Sequence, residues 1–175
     1  MPHRFWPVLL GGRFYSTTLA SGSLATLVVT KDILYATPIH ISQQVTLSSI
    51  GIEVTAFAAG NVRLGIYYDS AGAPGALLQD SGAVSTGTAN GFKSVATGQV
   101  LTAGLWWLAC DFDAAPTVRA LTTASSLHVL GASAGTDTAV HTGVSVAFVY
   151  AGFPNPFQAG SALHVGNFPR IMIGL

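Results

Sequence analysis

The clearest alternation of apolar and polar positions lies between Asn61 and Val84. Val62, Leu64, Ile66 and Tyr68 are separated by Arg63, Gly65 and Tyr67. A period of two predicts a central strand with one face buried and the other turned to solvent or a neighbour. Asp69 to Gly75 then concentrates turn chemistry: Gly tolerates positive φ, Pro fixes φ, and Asp bonds its own backbone. The chain is expected to reverse there. Leu77, Leu78, Ala83 and Val84 restart the apolar pattern around Asp80-Ser81-Gly82, which predicts two further short strands or strand ends.

The same reading extends along the chain. Gly22 to Thr30 and Ile33 to Ile41 predict strands, with Pro38 marking an edge or a bulge. Val45 and Leu47 fall in one phase, and Ile50, Ile52 and Val54 in another. One long strand with a slip near Ser48-Ser49 keeps both sets on one face. Asn90-Gly91 is a turn dipeptide, and short strands are expected on either side of Gly98. Leu105 to Phe112 is apolar without interruption up to Asp111, which for so short a run predicts a strand covered on both faces. Val118 to Leu121, Leu127 to Leu130 and Val144 to Tyr150 predict more strands. Phe153-Pro154-Asn155-Pro156-Phe157 predicts a rigid turn, and Ile171 to Leu175 a final strand. No window of ten or more residues carries a helical apolar period. The expectation is an all-β, two-sheet antiparallel jelly-roll-like sandwich, with residues 13–175 as a single domain and residues 1–12 as an extended N-terminal arm. Pro2, Pro7 and Gly11-Gly12 break regular structure in that arm. Its Phe5, Trp6, Val8, Leu9 and Leu10 must be buried either on the chain's own sandwich or on a neighbouring subunit.

Composition narrows the function classes. Half of the 175 residues are hydrophobic, yet only 8% are charged, with seven basic and seven acidic side chains. Ordinary soluble domains carry about 25% charged residues, so Ser, Thr, Gly and Ala must form most of this surface. A neutral, weakly charged exterior opposes association only feebly. The scattered Lys and Arg argue against a phosphate-binding surface, so no nucleic-acid partner is expected. Mean hydropathy is +0.53, but Gly, Ser, Thr or a charge interrupts every window of about 18 residues, and no membrane insertion is expected. Phe5 to Leu10 is broken by Pro7 and falls short of the roughly 7 to 15 apolar residues of a signal-peptide core. Cys110 is the lone cysteine and reads as a small buried hydrophobe.

Several residue sets offer chemistry, each with a plainer reading. Gly131-Ala132-Ser133-Ala134-Gly135 matches the nucleophile-elbow pattern, with Asp137, His141 and His164 downstream. The elbow needs a following helix, and Thr136 to Gly143 is rich in Thr and Gly, so a loop is the expectation. His3, His40, His128, His141 and His164 show no metal-ligand spacing. Asp111 and Asp113 share a face at a strand end, where calcium or paired-carboxylate chemistry competes with a solvated loop entrance. Tyr67, Tyr68, Trp106 and Trp107 are aromatic enough for a glycan platform, but each adjacent pair points to opposite faces; Tyr67 and Trp106 are the candidate glycan contacts. No enzymatic activity, cofactor or metal is expected.

The run Val62-Arg63-Leu64-Gly65-Ile66-Tyr67, followed by Gly72-Ala73-Pro74-Gly75-Ala76-Leu77-Leu78, by Asp80-Ser81-Gly82 and by Leu101-Thr102-Ala103-Gly104-Leu105-Trp106-Trp107-Leu108-Ala109, resembles the jelly-roll structural proteins of tailed bacteriophages. Leu34 to Ile39 and Ile50 to Thr55 extend the resemblance to roughly residues 30 to 120. It implies a non-catalytic structural protein on the virion surface, assembled in the host cytoplasm: a capsid decoration, cement or head-fibre knob. A tail-fibre or tail-tip receptor-binding module for host attachment and a stand-alone carbohydrate-binding module are the alternatives. It further implies a homotrimer contacting phage capsid or tail proteins and, in the receptor-binding case, a host cell-surface glycan. The arm residues Phe5, Trp6, Val8, Leu9 and Leu10 would supply oligomer or particle contacts. The resemblance brings no catalytic residues.

Overall fold

In the computed structural model, which describes residues 9–17, 24–123, 130–131 and 141–175, the alternating segments form two antiparallel sheets. The first holds β1 (Phe14–Tyr15), β2 (Leu24–Val28), β5 (Ser49–Ala56), β8 (Gly91–Ala96), β11 (Thr117–Leu121), β14 (Phe168–Pro169) and β15 (Ile171–Gly174). The second holds β3 (Ile33–Ile41), β6 (Asn61–Ser70), β7 (Ala73–Ser85), β10 (Gly104–Phe112), β12 (His141–Ala147) and β13 (Ala162–Val165), in the order β13-β12-β3-β10-β6-β7. A small ladder pairs β4 (Val45–Thr46) with β9 (Val100–Leu101). The expected all-β, jelly-roll-like sandwich is the fold observed.

The main core lies between the sheets. Tyr35, Ile39 and Ile41 from β3, Val62, Leu64 and Ile66 from β6, and Leu108, Cys110 and Phe112 from β10 meet Ile50, Ile52 and Val54 from β5 and Ile171 and Ile173 from β15. Full burial of each such aliphatic side chain contributes about 1.5–3 kcal/mol, and alternation along the strands puts them all on one face.

A second apolar layer covers the other face of the second sheet. Leu34, Ala36, Tyr67, Trp107, Ala109 and Val144 pack under Phe153 and Phe157. Residues 148–157 thus run as a strap across this sheet. Phe148 N and Tyr150 N donate to the backbone oxygen and carboxylate of Asp32, Phe153 N donates to Asp80 Oδ2, and Phe157 N donates to Gly75 O. Pro154 O accepts from the Tyr67 hydroxyl at 3.0 Å, and Asn155 Oδ1 from Leu77 N at 3.0 Å. The strap contains the expected rigid turn, with a cis Asn155–Pro156 bond.

Of the two alternatives for the second face of β6, solvent or a neighbour, the strap supplies the neighbour: Gly65 and Tyr67 are covered, and a Cβ at residue 65 would run into the Phe153 ring. β10 behaves as expected, being buried on both faces between β3 and β6. The reversal after β6 is tighter than expected. Ala71 and Gly72 both take positive φ, 53° and 85°, as a two-residue hairpin turn requires, and Asp69 Oδ2 accepts the Gly72 amide. Pro74 and Gly75 already belong to β7, a single strand of 13 residues that takes in both of the short strands or strand ends expected there. Register shifts against β6 absorb its irregular pattern.

Three further differences have identifiable causes. The expected long strand from Val45 breaks at Leu47-Ser48. Leu47 N turns to Gln99 O and Ser48 N to Gly174 O, so β4 and β5 enter different ladders. Pro38 lies in an interior strand, but the β12 ladder ends at Ala36, so β3 has an open side where the proline stands. The strand expected from Val144 to Tyr150 runs instead from His141 to Ala147, because Phe148 leaves to begin the strap. Most of the strand expected at Leu127 to Leu130 lies outside the described residues.

Candidate functional site

The first sheet turns an aromatic surface outward. Phe14 on β1 and Phe92 on β8 are 54% and 38% exposed, and their rings meet edge to face with centroids 5.0 Å apart. The floor beneath them is cleared by glycine. A Cβ at residue 51 would strike the Phe92 ring, and one at residue 174 would stand 3.0 Å from Phe14 Cε1. With hydrogen at both positions the two rings lie down on the sheet, where such a pair gains about 0.5–1.5 kcal/mol beyond its burial.

The root of the N-terminal arm is fixed beside this surface. Gly12 N donates to Leu175 O at 2.6 Å, and Leu175 N to Arg13 O at 3.1 Å, extending the β1–β15 ladder. Leu9 packs on the main core. Leu10 is 55% exposed, while its amide donates to the Tyr15 hydroxyl at 2.7 Å. The arm candidates Phe5, Trp6 and Val8 lie outside the described residues. Of the five, the structure therefore places a core contact at Leu9 and an exposed side chain at Leu10.

The glycan candidates are corrected. Tyr67 has no exposed surface, being packed against Phe153 and Phe157. Trp106 is 6% exposed, because Tyr68 lies over it at 4.9 Å between centroids and its Nε1–H is held by Thr102 O. Trp107 is equally enclosed and donates to Asp69 Oδ1 at 2.9 Å. The exposed ring of the four is Tyr68. The alternation is as expected, but the strap covers the face that would otherwise have been open.

The catalytic and metal candidates divide. Ser133, Asp137, His3 and His128 lie outside the described residues. His141 and His164 sit on the adjacent strands β12 and β13, with 3.4 Å between His141 Nδ1 and His164 O. Ser145 Oγ is 3.0 Å from His164 Nδ1, and His164 Nε2 is 3.2 Å from Asn167 O. With the proton on Nε2, the ring donates to that carbonyl and accepts from the serine. A backbone carbonyl orients the imidazole, in a site packed edge-on by Tyr35 and Phe168. Burial holds the His164 imidazole below its usual range, so it is neutral at pH 7. Among the described residues, no group of three or more His, Cys, Asp or Glu side chains could hold a metal ion.

Asp111 and Asp113 do not act as a pair. Both Asp113 oxygens are engaged by Asn61, through its backbone N and its Nδ2. Asp111 is fully buried, with Oδ1 accepting only the Phe112 amide at 2.8 Å. Burial pushes its carboxyl up to about 7. The Phe112 amide and Arg63 oppose the rise, and Asp32 and Asp113 add to it.

Opposite Asp111 on β6, Arg63 puts Nη1 2.8 Å from each oxygen of Asp80, and its Cζ lies 5.8 Å from the Tyr150 ring centroid. Asp80 also accepts from Gly82 N and Phe153 N. Sequence reasoning missed this network and the Phe14–Phe92 surface. The available signals were the Asp-Ser-Gly run at 80–82 and a Phe directly following a turn glycine at 91.

No protein-family model and no curated protein sequence matches this chain.

Proposed function

We propose that this chain is a non-catalytic structural protein of a bacteriophage virion, a sandwich knob carried on the particle surface as a capsid decoration, cement or head-fibre protein. The observation that carries the reading is the Phe14–Phe92 surface at the root of the arm. Two exposed aromatic rings in contact on a sheet face supply apolar area that another molecule can cover.

The distribution of charge supports it. Six of the fourteen charged side chains are spent in the ion pairs Lys31–Asp32, Arg63–Asp80 and Arg119–Glu53. Asp69 and Asp113 hold donors of their own chain, and Asp111 is buried. The exterior is left with the weak charge expected of surfaces buried against neighbours. The phage setting rests on the motif resemblance over residues 30 to 120. In this reading the chain forms a homotrimer through its arm, Phe5, Trp6, Val8, Leu9 and Leu10 supplying contacts, and meets capsid proteins. The exposed Tyr68 ring favours one second reading, a glycan-binding tail-fibre module or stand-alone carbohydrate-binding module.

The deciding experiment images intact particles bearing a labelled copy of the chain. Label on the capsid is the expected result, label on the tail selects the tail-fibre form of the second reading, and particles without the chain overturn both virion readings and leave the stand-alone module, which glycan binding lost in Tyr68→Ala would support. Deleting residues 1–12 should weaken trimer formation or particle attachment while the sandwich stays folded. A stable monomer of the intact protein at micromolar concentration, with unchanged particle binding by the truncated form, overturns the role of the arm.

A further inference from the structure

Three buried side-chain atoms have no hydrogen-bond partner among the described residues: Arg63 Nε, Asp111 Oδ2 and Tyr150 Oη. They are not scattered. Arg63 and Asp111 are direct cross-strand partners on β6 and β10, and both occupy the face of the second sheet that the strap covers. Tyr150 is part of the strap, with its ring over the Arg63 guanidinium. An unpaired buried polar group costs about 1–3 kcal/mol, and three in one neighbourhood point to a shared partner.

We propose that these three atoms bind one buried water molecule that ties the strap to the second sheet. The donor set selects the chemistry. Arg63 Nε–H only donates, which disfavours a metal cation at the same point. Asp111 Oδ2 belongs to a carboxyl that accepts when ionised and can donate when protonated, and Asp32 and Asp113 lie nearby, which disfavours an anion. Tyr150 Oη both donates and accepts. A neutral molecule that donates and accepts meets all three, and buried waters typically make about three such bonds. Arg63 keeps its charge partner throughout, since Nη1 is committed to Asp80. The backbone of the strap is already fixed at Tyr150 N by Asp32 and at Phe153 N by Asp80. The water would fix the tyrosine tip between those two anchors.

A crystal structure of the full chain at a resolution that places ordered water tests the site. The expected result is one peak within about 2.6–3.2 Å of all three atoms, lost in Asp111→Leu, whose apolar side chain takes the space. If that variant does not fold, Tyr150→Phe replaces it: the peak should remain on Arg63 and Asp111, and the Tyr150 amide should exchange with solvent roughly five- to ten-fold faster. Three results overturn the proposal. One is the absence of a peak, with Asp111 Oδ2 bonded directly to Arg63 or Tyr150. Another is a peak with the short, multiple oxygen distances of a metal. The third is unchanged exchange of that amide in Tyr150→Phe.

Discussion

Phe14 and Phe92 touch edge to face, with planes at 70°, although β15 and β5 lie between the strands that carry them. The contact spans the sheet because Gly174 and Gly51 put no Cβ under either ring. A double-mutant cycle with Phe14→Ala and Phe92→Ala should return a coupling of about 0.5–1.5 kcal/mol. Gly51→Ala should displace the Phe92 ring and cost about 1–3 kcal/mol. Strictly additive single losses would show that the rings do not support one another.

Asp80 holds three elements at once, accepting from Arg63 on β6, Gly82 within β7 and Phe153 in the strap. Asp80→Ala strands the Arg63 guanidinium in a site where the pair is only 22% exposed. A loss of about 3 kcal/mol is expected in denaturant unfolding. Asp80→Asn keeps an acceptor and should lose less; equal losses would assign the effect to charge alone.

Asp111 gives the fold an acid-side advantage. Its carboxyl titrates near 7 in the folded protein against 3.8 for the free group, so the folded state holds the proton more tightly between those values. The contribution is fully present below about pH 4 and is lost as pH rises through 7, up to about 4 kcal/mol at 1.36 kcal/mol per unit. Asp111→Asn should remove this slope and be the more stable protein at pH 8. An unchanged pH profile in that variant would assign the slope to another group.

His164 acts in the opposite direction. Burial lowers its pKa, so the neutral ring is favoured in the fold and stability is complete above its usual value of 6.5. Stability is lost as pH falls below 6.5 and the imidazole is forced to take a proton. His164→Gln should flatten the acid limb below pH 6.5 and leave the Asp111 slope in place. Retention of the full acid limb in His164→Gln would count against this assignment.

Local pattern carried the strands better than their surroundings. The unbroken apolar run of β10 announces two covered faces, because a polar residue on either face would have been tolerated only at a solvent boundary. The alternation in β6 gives the correct inner face. It says nothing of what covers Tyr67, since the covering Pro154 carbonyl is 87 residues away and no period links the two segments. For the same reason Tyr67 passes as an exposed ring in the sequence, while the exposed Tyr68 passes as core. The break between β4 and β5 is likewise set by distant carbonyls, those of Gln99 and Gly174. At the candidate surface, Phe14 and Phe92 each look like ordinary strand aromatics, and only the sheet order brings them together.

The position of β15 also constrains the order in which the molecule can be built. It follows every other described strand in the chain, yet it lies between β1 and β5, two of the early ones. While the chain emerges from the ribosome, β5 can pair with β8 once residues 91–96 are made and with β11 at Val54 and Ala56, but the stretch of its edge at residues 49–52 must wait for residues 171–174. Until they arrive, β1 has no ladder to join and Ile50 and Ile52 lack Ile171 and Ile173 above them. Closing so long a loop before any contact repays it is slow. Until those residues arrive the first sheet carries an open apolar seam along β5, and this seam is where a chaperone would find its hold before the sandwich closes.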